Sequence, residues 1–209
     1  MTAMHNSNAT GEIPKIIHQI WVGEKKMPAE WMQTWKENHK QWKFMLWDNE
    51  SVEAHYFKNK EKIMQCMDKG LPHGAADIIR YEILYEFGGF VAPADSVCLL
   101  PIDELLNIGE DCFCCYQHEK IRPGLLSPHL GTSVNNELMG KIVDRIPTNI
   151  KQPWVQTGNQ LLTDVVAELC YPIKIYPSRF FIPVYNDGTT QEGKAYADHK
   201  WGTTKHLWK

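Results

Sequence analysis

Long apolar runs are absent from this sequence of 209 residues. No stretch approaches the roughly 18 to 20 consecutive apolar residues that span a bilayer. Residues 1–12 are polar, whereas a signal peptide has a basic start followed by an apolar segment. The sequence therefore predicts no transmembrane segment, a disordered tail over residues 1–12 and a cytoplasmic location.

A strong excess of one charge is also missing, because 22 basic and 25 acidic residues are spread along the chain and give a formal net charge of -3. Proteins that bind nucleic acid usually carry a basic patch, so we expect no nucleic-acid partner. With 43% hydrophobic residues, the chain can bury one sizeable core but is short for two. We expect a single domain over residues 13–209, and the sequence leaves its oligomeric state open.

A disulfide framework is missing as well, because the six cysteines lack regular spacing. We therefore expect reduced thiols. The run Cys112-Phe113-Cys114-Cys115 could indicate a metal site, but it matches no standard zinc spacing. Its flanking residues favour a buried strand over a metal site.

The sequence does contain alternating strand and helix patterns. The first three patterns are an apolar strand over 14–22, a helix over 29–39 and a strand over 43–47. A strand, a helix and a second strand in this order form the opening unit of a parallel α/β sheet. A helix with a clear pattern is predicted over 74–87 and ends at Gly88 and Gly89. A short strand is predicted over 90–92.

The other predicted elements have weaker patterns. They are helical segments over 50–69, a turn with a short helix over 99–106, a strand over 112–117, an irregular loop over 118–134, helices over 135–145 and 157–170, a strand over 172–176 and a polar tail.

Asp77 and Arg80 lie three residues apart on the helix predicted over 74–87, whose other positions are largely apolar. Residues at this spacing share a helix face. At the surface they would form an ordinary ion pair. On a buried helix the charges need partners, and a polyhydroxyl ligand offers both donors and acceptors. The spacing alone leaves both interpretations open.

Asp95 follows the strand predicted over 90–92. Open α/β sheets bind ligands at the carboxyl ends of their strands. Mg²⁺ and Mn²⁺ prefer oxygen ligands and keep coordination positions for phosphate, so one or two carboxylates suffice. Asp95 could hold such a cation, or it could simply cap its own turn.

The run from His73 to Asp103 resembles family 32 glycosyltransferases and the sugar-binding region that contains the DXD motif. The family pattern is approximately A-x-x-S-D-x-x-R-Y-x-x-L-Y-x-x-G-G-x-Y-x-D-x-D, and the sequence aligns with it from Asp77 to Pro101 without a gap. Three further stretches resemble family motifs in the same order: IPKIIHQIWVG, TGNQLLT and YADHKW. The resemblance implies an α/β fold of the GT-A (Rossmann-like) type, with a mainly parallel central sheet flanked by helices.

The resemblance also implies the activity: metal-assisted, retaining transfer of a sugar from a nucleotide-sugar donor, a UDP-sugar, to a glycan acceptor. Trp21 matches a tryptophan that stacks on uracil in related toxin glucosyltransferases, and the backbone of its neighbours Ile20 and Val22 would read the base edge. Asp77 and Arg80 match the pair that hydrogen-bonds the donor sugar.

The implied metal is Mn²⁺ or Mg²⁺. Asp95 matches the last aspartate of the DXD motif, a direct metal ligand, and is predicted to be catalytic together with the sugar-binding pair. His199 matches a C-terminal histidine that ligates the metal or contacts the diphosphate. Ala94, Lys200 and Trp201 adjoin these positions and complete the predicted donor site.

Four positions depart from the family pattern. Pro93 replaces the first aspartate of the DXD motif and Val91 the aromatic residue before it, so metal affinity should fall. Ala76 replaces a serine, and Lys200 replaces a second histidine. The Lys200 ammonium would either neutralise phosphate charge or be an ordinary surface group.

The acceptor is expected over 118–134 and near 186–188, where Glu119 and Asp187 are candidate nucleophiles or simply solvated loop residues. Family members of this size commonly act in capsule, surface-polysaccharide or viral glycan assembly, which implies a bacterial or viral origin. Two rivals to an enzyme of this kind are a weakened nucleotide-sugar-binding protein and a toxin-like effector. Retention of the sugar-binding pair, the last aspartate of the DXD motif and the C-terminal histidine together favours catalysis over binding without turnover.

Overall fold

The computed structural model describes residues 11–202 and 204–207, so most of the predicted tail over 1–12 lies outside the described residues. The strands are β1 (Ile16–Ile20), β2 (Lys43–Trp47), β3 (Gly89–Val91), β4 (Ser96–Cys98), β5 (Cys112–His118), β6 (Arg122–Thr132), β7 (Lys174–Tyr176) and β8 (Ala197–His199). The α-helices are α1 (Ala29–Asn38), α2 (Asn49–Ala54), α3 (Lys60–Asp68), α4 (Pro72–Phe87), α5 (Glu137–Arg145), α6 (Pro153–Gln156) and α7 (Asn159–Leu169). Two short 3₁₀ helices are Asp103–Leu106 and Ser178–Phe180.

Six strands form one sheet in the order β2-β1-β3-β6-β5-β7, and β4 pairs with β8 in a second, two-stranded sheet. The pairs β1–β2, β1–β3 and β5–β7 are parallel, while β6 runs antiparallel to both of its neighbours. The mainly parallel α/β fold predicted from the sequence is confirmed. Among the residues that the structure describes, no helix is long and apolar enough to cross a membrane.

The large sheet buries both of its faces, and β5 shows the alternation clearly. Cys112 and Cys114 pack into the cluster formed with α3, α4, α5 and α7, whereas Phe113 and Cys115 pack into the opposite cluster with α1. Burial raises the pKa of all three β5 thiols well above the ordinary value. The prediction of a buried strand is therefore confirmed. No group of three or more possible metal ligands occurs in the described part of the chain.

The junction between α4 and β3 requires glycine. Gly88 and Gly89 have φ values of +61° and +93°, where other residues are strained. A Cβ on Gly89 would lie 2.6 Å from the carbonyl oxygen of Ile16. The chain therefore turns directly from α4 into β3 and lies against β1, which places the segment that contains Asp95 at the carboxyl ends of these two strands.

The prediction of an irregular loop over 118–134 was wrong, because most of this segment is β6. Prolines and glycines in the run RPGLLSPHLGT are typical of loops. The strand accommodates them because the pairing with β5 shifts register twice, at the stretches that contain Pro123 and Pro128.

The polar tail predicted after residue 176 does contain secondary structure. The tail contains Ser178–Phe180 and β8, and β8 pairs with β4 so that His199 lies opposite Ser96. The helix predicted over 157–170 begins only at Asn159 and is preceded by the separate helix α6. Strand β8 matters for function because it carries His199 to the residue that follows Asp95.

His18 in the middle of β1 is fully buried and hydrogen-bonded through both ring nitrogens. Nδ1 accepts from Trp47 Nε1 at 3.1 Å, so Nε2 carries the proton and donates to the carbonyl oxygen of Gly88 at 2.8 Å. Burial lowers the pKa of His18 to about 4. The folded protein therefore holds this ring neutral well below the pH at which an exposed histidine is protonated.

We expect the free energy of unfolding to fall as the pH is lowered from about 6.5 towards 4. In this window the unfolded chain binds a proton at His18 and the folded chain does not, so each pH unit costs about 1.4 kcal/mol from this residue. Urea unfolding at several pH values measures the slope. His18→Gln, which keeps a donor for Gly88, should reduce the slope by one proton, and an unchanged slope would contradict the assignment.

Candidate functional site

A cavity of about 350 Å³ collects polar side chains from distant parts of the chain. Its walls come from α4, the segment after β3, the β5–β6 hairpin, the α6–α7 region and the C-terminal segment around β8. Five residues of the predicted site line it: Asp77, Arg80, Asp95, His199 and Trp201. The structure thus brings the stretch from Asp77 to Asp95 together with the YADHKW stretch, which the sequence places far apart.

Asp77 and Arg80 form a partly buried ion pair rather than a surface one. Arg80 Nη1 lies 2.6 Å from Asp77 Oδ1, and the two side chains are only 13% and 14% exposed. Asp77 Oδ2 accepts a hydrogen bond from Thr157 Oγ1 at 3.2 Å. Arg80 Nε is buried with no hydrogen-bond partner among the described residues. Asp77 is thus fixed by two hydrogen-bond partners, and Arg80 retains a donor group without a partner in the described structure.

Asp95 and His199 meet beside the β4–β8 pair. Asp95 Oδ2 accepts a hydrogen bond from the backbone N–H of Gly202 at 2.9 Å, which orients the carboxylate. Its Oδ1 lies 3.5 Å from Nδ1 of His199. That nitrogen is buried, and the described residues offer it no hydrogen-bond partner. A carboxylate oxygen and an imidazole nitrogen are therefore adjacent without bonding each other.

This pair fits a divalent cation. Two ligands at about 2.1 Å from a cation lie about 3.0 to 3.5 Å apart when the angle between them is near that of octahedral or tetrahedral coordination. The observed separation of 3.5 Å falls within this range. Mg²⁺ is commonly bound by one or two protein groups together with substrate phosphates and water, so a third protein ligand is not required.

His129 on β6 was missed by the sequence analysis. It is only 3% exposed, its Nδ1 lies 2.8 Å from Ser127 Oγ, and its ring centroid lies 5.7 Å from that of His199. Burial, with His199 and Arg80 nearby, lowers its pKa well below the ordinary value, so the ring is neutral. Nε2 of His129 has no hydrogen-bond partner in the described part of the chain.

Trp21, with its neighbours Ile20 and Val22, lies at the end of β1 and does not line the cavity. Trp21 Nε1 donates to the carbonyl oxygen of Lys25 at 2.7 Å, which ties the side chain to its own loop. The loop lies beside the start of α4, because a Cβ added to Gly23 would lie 3.4 Å from Pro72 Cβ. The predicted base-stacking role therefore stays a prediction.

Ala94 and Lys200 also lie outside the cavity lining. Ala94 is buried, and the Lys200 ammonium pairs with the carboxylate of Asp198. Their predicted contacts with the donor stay predictions.

Neither candidate nucleophile lines the cavity. Glu119 accepts hydrogen bonds from the backbone N–H and the hydroxyl of Ser178, and Asp187 accepts one from the N–H of Thr189 at 2.8 Å. Both carboxylates thus stabilise local structure. Arg122, Ser127 and Asn186 of the predicted acceptor region do line the cavity, and the acceptor role stays a prediction.

The mainly parallel sheet thus places an acid–guanidinium pair and an acid–imidazole pair around one cavity. Residues 27–113 match the family described as "Glycosyltransferase sugar-binding region containing DXD motif". The resemblance predicted from the sequence is confirmed over this part of the chain.

Similar proteins carry glycosyltransferase names. Inositol phosphoceramide mannosyltransferase 3 of Schizosaccharomyces pombe is 32% identical over 106 residues, which cover 48% of this chain and 29% of the yeast protein. "Uncharacterized glycosyltransferase L373" of Acanthamoeba polyphaga mimivirus is 26% identical over 193 residues, which cover 84% of this chain and 76% of the viral protein. The chain thus spans less than a third of the mannosyltransferase but most of the viral relative.

A solved structure shares the fold. The PaToxG glycosyltransferase superposes with a TM-score of 0.58 at 14% sequence identity, covering 75% of this chain and 70% of that one. At this identity the likeness establishes the fold and leaves substrates open.

Proposed function

We propose that the protein transfers a sugar from a UDP-sugar to a glycan acceptor, with the help of a divalent cation and with retention of anomeric configuration. The observation that carries the proposal is the convergence of Asp77, Arg80, Asp95 and His199 on one cavity. Arg80, His199 and His129 each keep a buried nitrogen without a hydrogen-bond partner in the described structure. Buried polar atoms of this kind are normally satisfied, so their concentration here supports ligand binding.

Each group has a distinct task in the proposed reaction. Asp77 and Arg80 hold the hydroxyl groups of the donor sugar. Asp95, oriented by the N–H of Gly202, and His199 would hold Mn²⁺ or Mg²⁺, which when bound supplies Lewis-acid stabilisation of charge on the departing diphosphate. Neutral His129 offers a hydrogen bond beside the reacting centre without adding positive charge.

Two nucleotide sugars are candidate donors. UDP is implied by the resemblance at Trp21, whereas relatives are named as mannosyltransferases, which makes a GDP-sugar such as GDP-mannose the second candidate. A nucleotide-sugar-binding protein without turnover is the alternative function, motivated by Pro93 in place of the first acidic residue of the DXD motif.

The test is release of nucleotide from a panel of UDP- and GDP-sugars, each with and without Mn²⁺, using water and a mixture of glycans as acceptors. We expect Mn²⁺-dependent release from one UDP-sugar. Release from GDP-mannose alone would identify a GDP-sugar as the donor and would still support a glycosyltransferase. Tight binding of a sugar nucleotide without Mn²⁺ and without turnover, whatever the acceptor, would favour the binding protein.

A further inference from the structure

The cavity contains a second pair of side chains that the proposed donor chemistry does not use. Arg122 begins β6 and Trp154 lies in α6, and both line the cavity. The guanidinium carbon of Arg122 lies 5.9 Å from the centroid of the Trp154 ring. Trp154 is 45% exposed, so part of its side chain is accessible to a ligand. We call these two residues the Arg122–Trp154 pair.

The charge of Arg122 is not compensated within the described residues, where no carboxylate lies within ion-pair distance of it. Arg80, the other arginine of the cavity wall, is paired with Asp77. Arg122 therefore adds an available positive charge to the cavity. A guanidinium with free N–H groups binds phosphate or carboxylate oxygens in a bidentate manner.

The backbone of Trp154 lies close to Asp77. Gly158 connects Trp154 with Asp77, because a Cβ added to Gly158 would lie 3.2 Å from the Trp154 carbonyl oxygen and 3.1 Å from Asp77 Oδ2. The segment of α6 that carries Trp154 thus lies next to Asp77, the residue proposed to hold the donor sugar.

We infer that the Arg122–Trp154 pair is an acceptor subsite for a sugar that carries an anionic group, either a phosphate or a carboxylate. This inference rests on the proposed function. The exposed face of Trp154 packs against the C–H face of the acceptor ring, and the guanidinium of Arg122 binds the anionic oxygens. The pair thereby selects charged acceptors over neutral ones and places them beside the donor sugar held by Asp77.

The test measures binding rather than turnover. Ligand-observed NMR titrations use the full chain with Mg²⁺ and UDP present and three probes: methyl glucoside 6-phosphate, methyl glucuronide and neutral methyl glucoside. Wild-type protein should bind both charged probes about tenfold or more tightly than the neutral one. Arg122→Gln should abolish this preference. Trp154→Ala should weaken all three probes, by about fivefold.

Lys120→Gln is the matched control, because it removes a positive charge from the same hairpin at a position outside the cavity lining. It should bind all probes as the wild type does. Thermal unfolding checks that each variant folds, and Arg122→Lys, which keeps the charge but loses the bidentate geometry, should show an intermediate preference.

The titrations distinguish failure of the subsite from failure of the proposed function, because UDP binding is measured in the same samples. The subsite is overturned if wild-type protein shows no preference for charged probes, or if Arg122→Gln and Lys120→Gln lose it equally. A loss of UDP affinity in Arg122→Gln would assign Arg122 to the donor diphosphate instead. Absence of UDP binding in the wild type would count against the UDP-sugar donor of the proposed function rather than against the subsite. Preference for one charged probe identifies the group as phosphate or carboxylate.

Discussion

Asp95→Asn should lower turnover by about a thousandfold and remove the part of UDP affinity that depends on Mn²⁺. The asparagine oxygen can still accept the hydrogen bond that Gly202 N–H donates to Asp95 Oδ2 at 2.9 Å, so the local structure should persist. What is lost is the negative charge beside His199 Nδ1. Because Pro93 occupies the position of the first acidic residue, no neighbouring carboxylate of the motif compensates.

Calorimetric titration of UDP with and without Mn²⁺ measures the affinity, and nucleotide release measures turnover. Asp103→Asn is the control, since this carboxylate accepts hydrogen bonds from Lys15 and Trp42 and lies outside the cavity lining. Its turnover should stay within about twofold of the wild type, as expected for a charge away from the reacting centre. Equal losses in the two variants would show that Asp95 has no special role.

Asp77→Ala should weaken binding of the complete sugar nucleotide by about tenfold to a hundredfold, whereas UDP alone should bind within about twofold of the wild type. The carboxylate lies in the cavity wall, held by Arg80 at 2.6 Å and by Thr157 at 3.2 Å, and we assign it to the hydroxyl groups of the donor sugar. UDP lacks that sugar and therefore should not sense the change. The measurement is a pair of titrations, one with each ligand.

Two further variants control for the loss of the ion pair, since removing the carboxylate leaves the mostly buried Arg80 without its partner. Asp77→Asn keeps the shape and one acceptor oxygen. Thr157→Val leaves the carboxylate but removes its hydroxyl donor and should have a smaller effect of the same kind. Equal weakening of UDP and sugar nucleotide in Asp77→Ala would refute the donor-sugar role.

Local patterns predicted the first half of the fold well. The strands and helices before Val91 are indicated by the spacing of apolar residues that are close in sequence. The pair Gly88-Gly89 marks a turn that only glycine allows. Strand β6 could not be recognised, because Pro123 and Pro128 are typical of loops and are accommodated only by register shifts against β5. Strand β8 is three residues long and is defined by its pairing with β4.

The sequence could indicate only those candidate site residues that belong to recognisable motifs. Spacing alone left Asp77 and Asp95 undecided, and the resemblance to a family pointed to His199. His129, Arg122 and Trp154 belong to no motif, and their place in the cavity depends on how β6 and α6 pack around α4. The burial that makes His129 neutral is likewise a tertiary property. An unpaired arginine and an exposed tryptophan could be recognised only once their neighbours were known.

The central claim is that Asp95 and His199 hold one divalent cation together with the donor diphosphate. Pulsed EPR of the protein with Mn²⁺ and UDP tests it directly, because a coordinated imidazole nitrogen modulates the echo of the manganese electron spin. We expect this modulation in the wild type, and its loss in both His199→Gln and Asp95→Asn. A wild-type signal identical to that of Mn²⁺ and UDP in buffer, or a nitrogen modulation that persists in His199→Gln, would contradict the account.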